Sequence, residues 1–192
     1  MADWTNNRIT IKGSKEDLAK MMGDAVRDKD GKLKLSSWFP VPETFKKYDT
    51  TNHPNGKGLK VGKRIDNDDD DSPIITKELI EEYKQATREQ KEQYGVVGWY
   101  DYNLQTFGCK WDCEVYVDSE TDEEIVLITD TPWEAPEAFL LAMSERYPDL
   151  SFCNYASFED GCWEEKLYEN GSEELLDGEF DFDDEEDDDD DD

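Results

Sequence analysis

The sequence predicts an α+β fold in which an antiparallel sheet carries two helices on one face. Three observations predict it. A period-two strand pattern at the start passes directly into a three-and-four helical pattern. The same strand-to-helix succession returns after residue 124. Aromatic residues make up 12% of the 192 residues, including six Trp, enough to fill the core of one domain.

In "WTNNRITIKG", Ile9 and Ile11 share one face and Arg8, Thr10 and Lys12 the other, as in a half-buried strand. Ser14 then offers an N-cap with Asp17 at the capping-box position. Leu18, Met21, Met22, Ala25 and Val26 give a helix buried on one side. "GKLKLSSWF" reads as a turn and a strand carrying Leu33 and Leu35, broken by "PVPETF". Residues 46–75 read as an insertion, basic at first and then acidic in "IDNDDDDSP". Thr76 caps a polar helix to about Gln93, with Leu79, Ile80 and Tyr83 on its inner face. The aromatic stretch "GWYDYNLQTFGCKWD" follows. "CEVYVD", with Cys113, Val115 and Val117 inward, turns at "SETD" into "EEIVLITD", a hairpin. "PEAFLLAMSERYP" is a helix opened by Pro136 and stopped by Pro148, with Phe139, Leu140, Met143 and Tyr147 as its core stripe. "LSFCNYASFED" and "CWEEKLYENG" complete a second β-α-β unit with one more strand. The whole predicts a ferredoxin-like sandwich at 1–172, with an insertion at about 46–96, and a disordered acidic tail at 173–192.

Charge is distributed unevenly. The net charge is −30, but residues 1–111 hold nineteen acidic and nineteen basic side chains. Residues 112–172 hold seventeen acidic residues against Arg146 and Lys166, and residues 173–192 hold fifteen against none. Such a surface repels nucleic acid and anionic membranes and attracts basic proteins. "MADWTNNRITIKG" has no charged start followed by an apolar run, and no stretch is long enough to span a membrane. The expectation is a cytoplasmic protein of the host cell with Cys109, Cys113, Cys153 and Cys162 as thiols.

The pattern W-x-N-x-I-x-I-x-G at the start, "WYDYNLQTFGCKWD" in the middle and "TDTPWEAPEAFLLAMSERYPDLSF" later resemble the YubB-type ferredoxin-like domain. The most specific block comprises Trp99, Tyr100, Phe107, Gly108, Cys109, Lys110, Trp111 and Asp112. Phe107 and Cys109 stand where that family tends to carry Trp and Thr. The resemblance covers about 3–45 and 97–170. It implies the fold and a phage or plasmid setting, and it brings no catalytic residues.

In the aromatic block, Asp101, Lys110 and Asp112 offer polar groups for a small ligand, but the pattern equally describes a core helix ended by a Gly108 cap. The cysteine spacings are not those of zinc ribbons or fingers. His53 lies in a polar loop without a second His to share general-base work, and reads as a solvated residue. "DNDDDDSPIITKE" offers Asp66, Asp68 and Asp70 in calcium-loop register, but Asp71 and Lys77 stand where Gly and Glu are required. No cofactor, metal or catalytic residue is assigned. The acidic surface remains. Same-face residues on a strand lie about 6.5–7 Å apart, and duplex DNA carries a phosphate every ~3.4 Å per strand. Carboxylates on a rigid sheet can therefore imitate phosphates. The expected partner is a basic nucleic-acid-binding host protein of the CRISPR-effector or restriction-enzyme kind, blocked by a non-enzymatic inhibitor. The residues expected to face it are Glu114, Asp118, Glu120, Asp122, Glu123 and Glu124, with Asp130, Glu134 and Glu137 nearby. The other classes considered are a small-ligand protein or enzyme using the aromatic block, and an acidic chaperone working through its tail.

Overall fold

In the computed structural model, residues 3–65 and 72–179 are described. The acidic run considered for calcium and residues 180–192 of the expected tail lie outside them. The chain forms an α+β fold on a seven-stranded antiparallel sheet. In chain order the elements are β1 (Trp4–Lys12), α1 (Lys15–Asp24), β2 (Leu33–Lys34), α2 (Glu43–Lys47), α3 (Lys77–Tyr94), α4 (Trp99–Phe107), β3 (Glu114–Glu120), β4 (Glu124–Pro132), α5 (Glu137–Arg146), β5 (Ser151–Ser157), β6 (Trp163–Glu169) and β7 (Ser172–Glu179). The strand order is β2-β3-β4-β1-β5-β6-β7. No helix among the described residues is long and apolar enough to cross a membrane.

Alternation in β1 decides the two faces of the sheet. Thr5, Asn7, Ile9 and Ile11 are buried under the helices, while Trp4, Asn6, Arg8 and Lys12 are exposed on the open face. Leu18 and Met21 of α1 and Phe139, Leu140 and Met143 of α5 join Ile125, Leu127 and Phe152 in one core. The Ser14 hydroxyl accepts from Asp17 N as expected. The Thr76 hydroxyl accepts from Leu79 N, and α3 ends at Gly95 with φ +78°. Gln90, fully buried, ties α3 to the rest. Its Oε1 accepts from Thr50 Oγ1 (2.6 Å) and Gly98 N (3.0 Å), and its Nε2 donates to Thr44 O (3.0 Å).

Several expectations are corrected. The helix α1 stops at Asp24, where Ala25 turns extended, so Val26 is exposed rather than in the core stripe. Leu35 begins a 3-10 turn, not a continuing strand, although it is fully buried. The buried face of α3 is Tyr83, Ala86, Thr87 and Gln90, with Leu79 and Ile80 half-buried. Val117 stands opposite buried Leu127 yet is 39% exposed; a bulge follows between Val117 and Ser119, and β3 runs through Glu120 into the segment expected to turn. Residues 173–179, expected in the tail, pair with β6 as part of β7. The tail boundary drawn at 172/173 therefore falls inside a strand.

Candidate partner-binding face

The carboxylates expected to face a partner, Glu114 and Asp118 on the strand, Glu120, Asp122, Glu123 and Glu124 in the turn, and Asp130, Glu134 and Glu137 nearby, do not share one face. Side chains opposite one another in a ladder point the same way. Glu114 and Asp130 lie on the open face, Asp118 sits in the bulge, and Glu120 opposes buried Ile125 on the other face. Glu137 opens α5 above the helix-covered side, and Glu134 lies in the loop before it.

Five of the nine meet the protein's own cations. Lys32 Nζ lies 2.6 Å from Glu114, Arg8 3.1 Å from Asp118, Lys15 2.9 Å from Asp122 and Lys12 3.6 Å from Glu124, while Lys166 binds Glu137. Asp130 instead accepts from Asn6 Nδ2 at 2.5 Å. Glu120, Glu123 and Glu134 make no ion pair among the described residues. Glu114 also accepts from the Tyr116 hydroxyl at 2.5 Å. Hydrogen bonds from Lys32 and then Tyr116 hold the Glu114 carboxyl below its ordinary range. The pairs of Lys32, Arg8, Lys15 and Lys12 face solvent and are weak and easily exchanged, whereas Lys166 is largely buried.

The uncompensated charge lies at the other end of the sheet, where sequence reading did not place it. Residues 151–179 carry nine carboxylates and one cation, Lys166. That lysine is spent on the helix-covered side, on Glu137 and on Glu164 at 3.1 Å. Burial alone would lower its pKa, but the hydrogen bonds to Glu137 and Glu164 outweigh this and raise it. On the open face Glu165 stands directly opposite Asp177, Leu167 opposite Glu174, and Trp163 opposite Glu179. Two acids in register are destabilising without a cation between them. The signal available in sequence was the alternation of "WEEKLYE", which puts Trp163, Glu165 and Leu167 on one side.

Aromatic rings share this open face. Tyr155 stacks on Trp163 with centroids 5.5 Å apart. At the β1 and β4 ends, Trp4 and Trp111 lie 5.5 Å apart and Trp111 and Trp133 6.3 Å apart. Three loops build this cluster. Trp133 adopts φ +67° and donates its backbone N–H to Asp3 O. Asp112 fixes the approach to β3 by accepting from Ser36 N (2.8 Å) and Ser36 Oγ (2.7 Å). Trp4 N donates to Glu159 Oε1 at 2.9 Å. Lys110 Nζ rests over Trp111 (5.2 Å) and Trp133 (5.4 Å). Trp4, Glu114, Tyr116 and Asp130 line an open pocket of about 390 Å³.

The groups considered for a small-ligand site are dispersed. Asp112 is engaged by Ser36, Asp101 is exposed in the first turn of α4, and Gly108 caps α4 with φ +77°. His53 is half-buried, not simply solvated, with its ring 6.3 Å from Tyr83. It helps line a basic pocket in the insertion with Lys60, Lys63 and Arg64. Cys109 and Cys113 are buried, and both thiols donate to Trp111 O. The neighbouring Cys113 thiol and burial push the Cys109 pKa up. The Tyr168 hydroxyl is buried without a hydrogen-bond partner among the described residues, and burial pushes its pKa up, away from acid–base work near neutrality. No group of three or more His, Cys, Asp or Glu suited to a metal occurs among the described residues.

No known family matches the chain by sequence, and no curated protein does. Among solved structures it is similar to a crystal structure of a protein api92 from Yersinia pseudotuberculosis, of family DUF1281. The TM-score is 0.47 at 10% identity, over 93% of this chain and 98% of that one.

Proposed function

We propose that this chain is a non-enzymatic acidic protein that binds a basic nucleic-acid-binding protein and keeps nucleic acid from it. The setting inferred is a phage- or plasmid-borne inhibitor acting on a host defence protein in the cytoplasm. We also read the path β1, α1, β3, β4, α5, β5, with spatial order β3-β4-β1-β5, as a ferredoxin-like core of the YubB type. On that reading β2 extends one edge and β6 and β7 the other.

The observation that carries the functional reading is Glu165 set opposite Asp177 on the open face, while Lys166, the one cation of residues 151–179, is engaged on the reverse side. A cationic partner relieves that repulsion and gains from it. The hairpin ladder contributes less, because Lys32, Arg8, Lys15 and Lys12 already stand against it. Imitation of phosphates thus rests on the β6–β7 end of the face rather than on β3.

Binding to a purified CRISPR effector or restriction enzyme, measured at about 50 and about 500 mM salt, tests this. The expected result is tight binding at low salt that falls steeply at high salt. Reversal of Glu165 and Asp177 to Lys should weaken binding about tenfold or more, and reversal of Glu114 and Asp118 by less. Binding indifferent to salt and to both reversals would overturn the reading.

A further inference from the structure

We infer that the pocket at Trp4 is a seat for an arginine side chain of the partner. The inference rests on the reading of the protein as a binder of a basic protein and adds which cation it selects.

The pocket is walled by Trp4 and Tyr116 and floored by Glu114 and Asp130. Trp4 is 41% exposed and Tyr116 58%, far more than either ring needs to support the sheet. Trp111 backs Trp4 from the β3 side and is itself 37% exposed. Three large rings exposed in one contiguous place mark a contact surface rather than scattered surface apolarity. The two carboxylates differ. Glu114 already holds Lys32 and Tyr116, one on each oxygen. Asp130 meets only the neutral amide of Asn6, through Oδ1, so a full negative charge beside the rings has no cation among the described residues.

Indole and phenol faces next to an uncompensated carboxylate match a guanidinium better than an ammonium. A guanidinium is planar, weakly hydrated, stacks on rings and bonds a carboxylate through a fork of N–H donors. The neighbouring rings already hold a cation in this way: Lys110 Nζ rests over both Trp111 and Trp133. That contact leaves the Trp4 side of the cluster free for a second cation. The face as a whole then divides its work. The β6–β7 end attracts any basic segment, and the Trp4 pocket chooses arginine.

Fluorescence anisotropy with labelled oligoarginine and oligolysine of equal length tests both levels separately. The wild-type chain should bind oligoarginine about tenfold more tightly than oligolysine. Trp4→Ala and Asp130→Asn should each bring the two peptides to the same affinity. Asp130→Asn keeps an oxygen for Asn6 and so preserves the sheet if Trp4→Ala unfolds. Reversal of Glu165 and Asp177 should weaken both peptides alike and keep the preference. Equal affinities in the wild type, or a preference that survives both pocket variants, overturns the arginine seat while leaving the broader reading standing. Failure of both peptides to bind the wild type overturns the broader reading and the seat with it.

Discussion

Glu114 shows how a carboxylate that looks free in sequence is committed in the fold. Its partner Lys32 lies 82 residues away, and the pairs Arg8–Asp118 and Lys15–Asp122 are more distant still in sequence. Such pairings are invisible to charge counting, because net charge is a sum and pairing is a matter of topology. The hydrogen bonds from Lys32 and Tyr116 depress the Glu114 pKa in the folded chain. A depressed carboxylate stabilises the fold fully above its unfolded value of about 4.3 and loses that contribution as pH falls through the depressed value. An NMR titration of the Glu114 side-chain carboxyl should therefore show a midpoint below 4.3, as an approximate reference. Lys32→Met should move the midpoint up. A midpoint unchanged by the substitution would mean that the pair is not formed in solution.

Elements were legible where a cap or a strong period announced them. Ser14, Thr76 and Gly108 each mark an end that the structure places where it was expected. The glycine ends are separable by experiment. Gly108 and Gly95 both have φ near +78°, costly for any side chain. At Gly95 an added Cβ meets nothing within 4 Å, whereas at Gly108 it lies 3.0 Å from the backbone nitrogens of Glu137 and Ala138, where α4 packs on α5. Gly95→Ala should cost about 1 kcal/mol in urea unfolding and Gly108→Ala about 2–3. Equal costs would show that the α4–α5 contact yields easily. What sequence did not disclose is irregularity. The bulges after Val117 and at Leu176 each insert one residue and reverse the face of everything beyond. The first puts Glu120, expected in the turn, on the strand face away from Glu114. β7 was missed for a different reason: all but one of its eight residues are exposed, so it lacks the apolar alternation by which a strand is recognised.

At the scale of the molecule, the question is whether the acidic C-terminal half acts by amount or by arrangement of charge. Residues 180–192 carry eleven carboxylates, and β7 carries four more held in register with β6. Long-range attraction depends on the sum and is screened by salt, whereas selection at a seat depends on groups fixed within a few ångströms. Two shortened chains separate these effects. A chain ending at Glu179 keeps every strand of the described residues, so its thermal midpoint should equal or exceed that of the full chain at low salt, because less like charge opposes the compact state. It should associate with a basic partner about tenfold more slowly and keep the arginine preference. A chain ending at Gly171 loses β7, leaves Tyr168 and the Glu164–Lys166 pair on an edge strand, and removes Asp177 from Glu165. It should unfold at lower temperature and dissociate faster from the partner. If arrangement governs, the step from Glu179 to Gly171 changes affinity more than the step from 192 to 179, although the longer step removes almost three times as much charge. The reverse ranking would place the activity in the tail alone, as in an acidic chaperone, and would leave the sheet as its support.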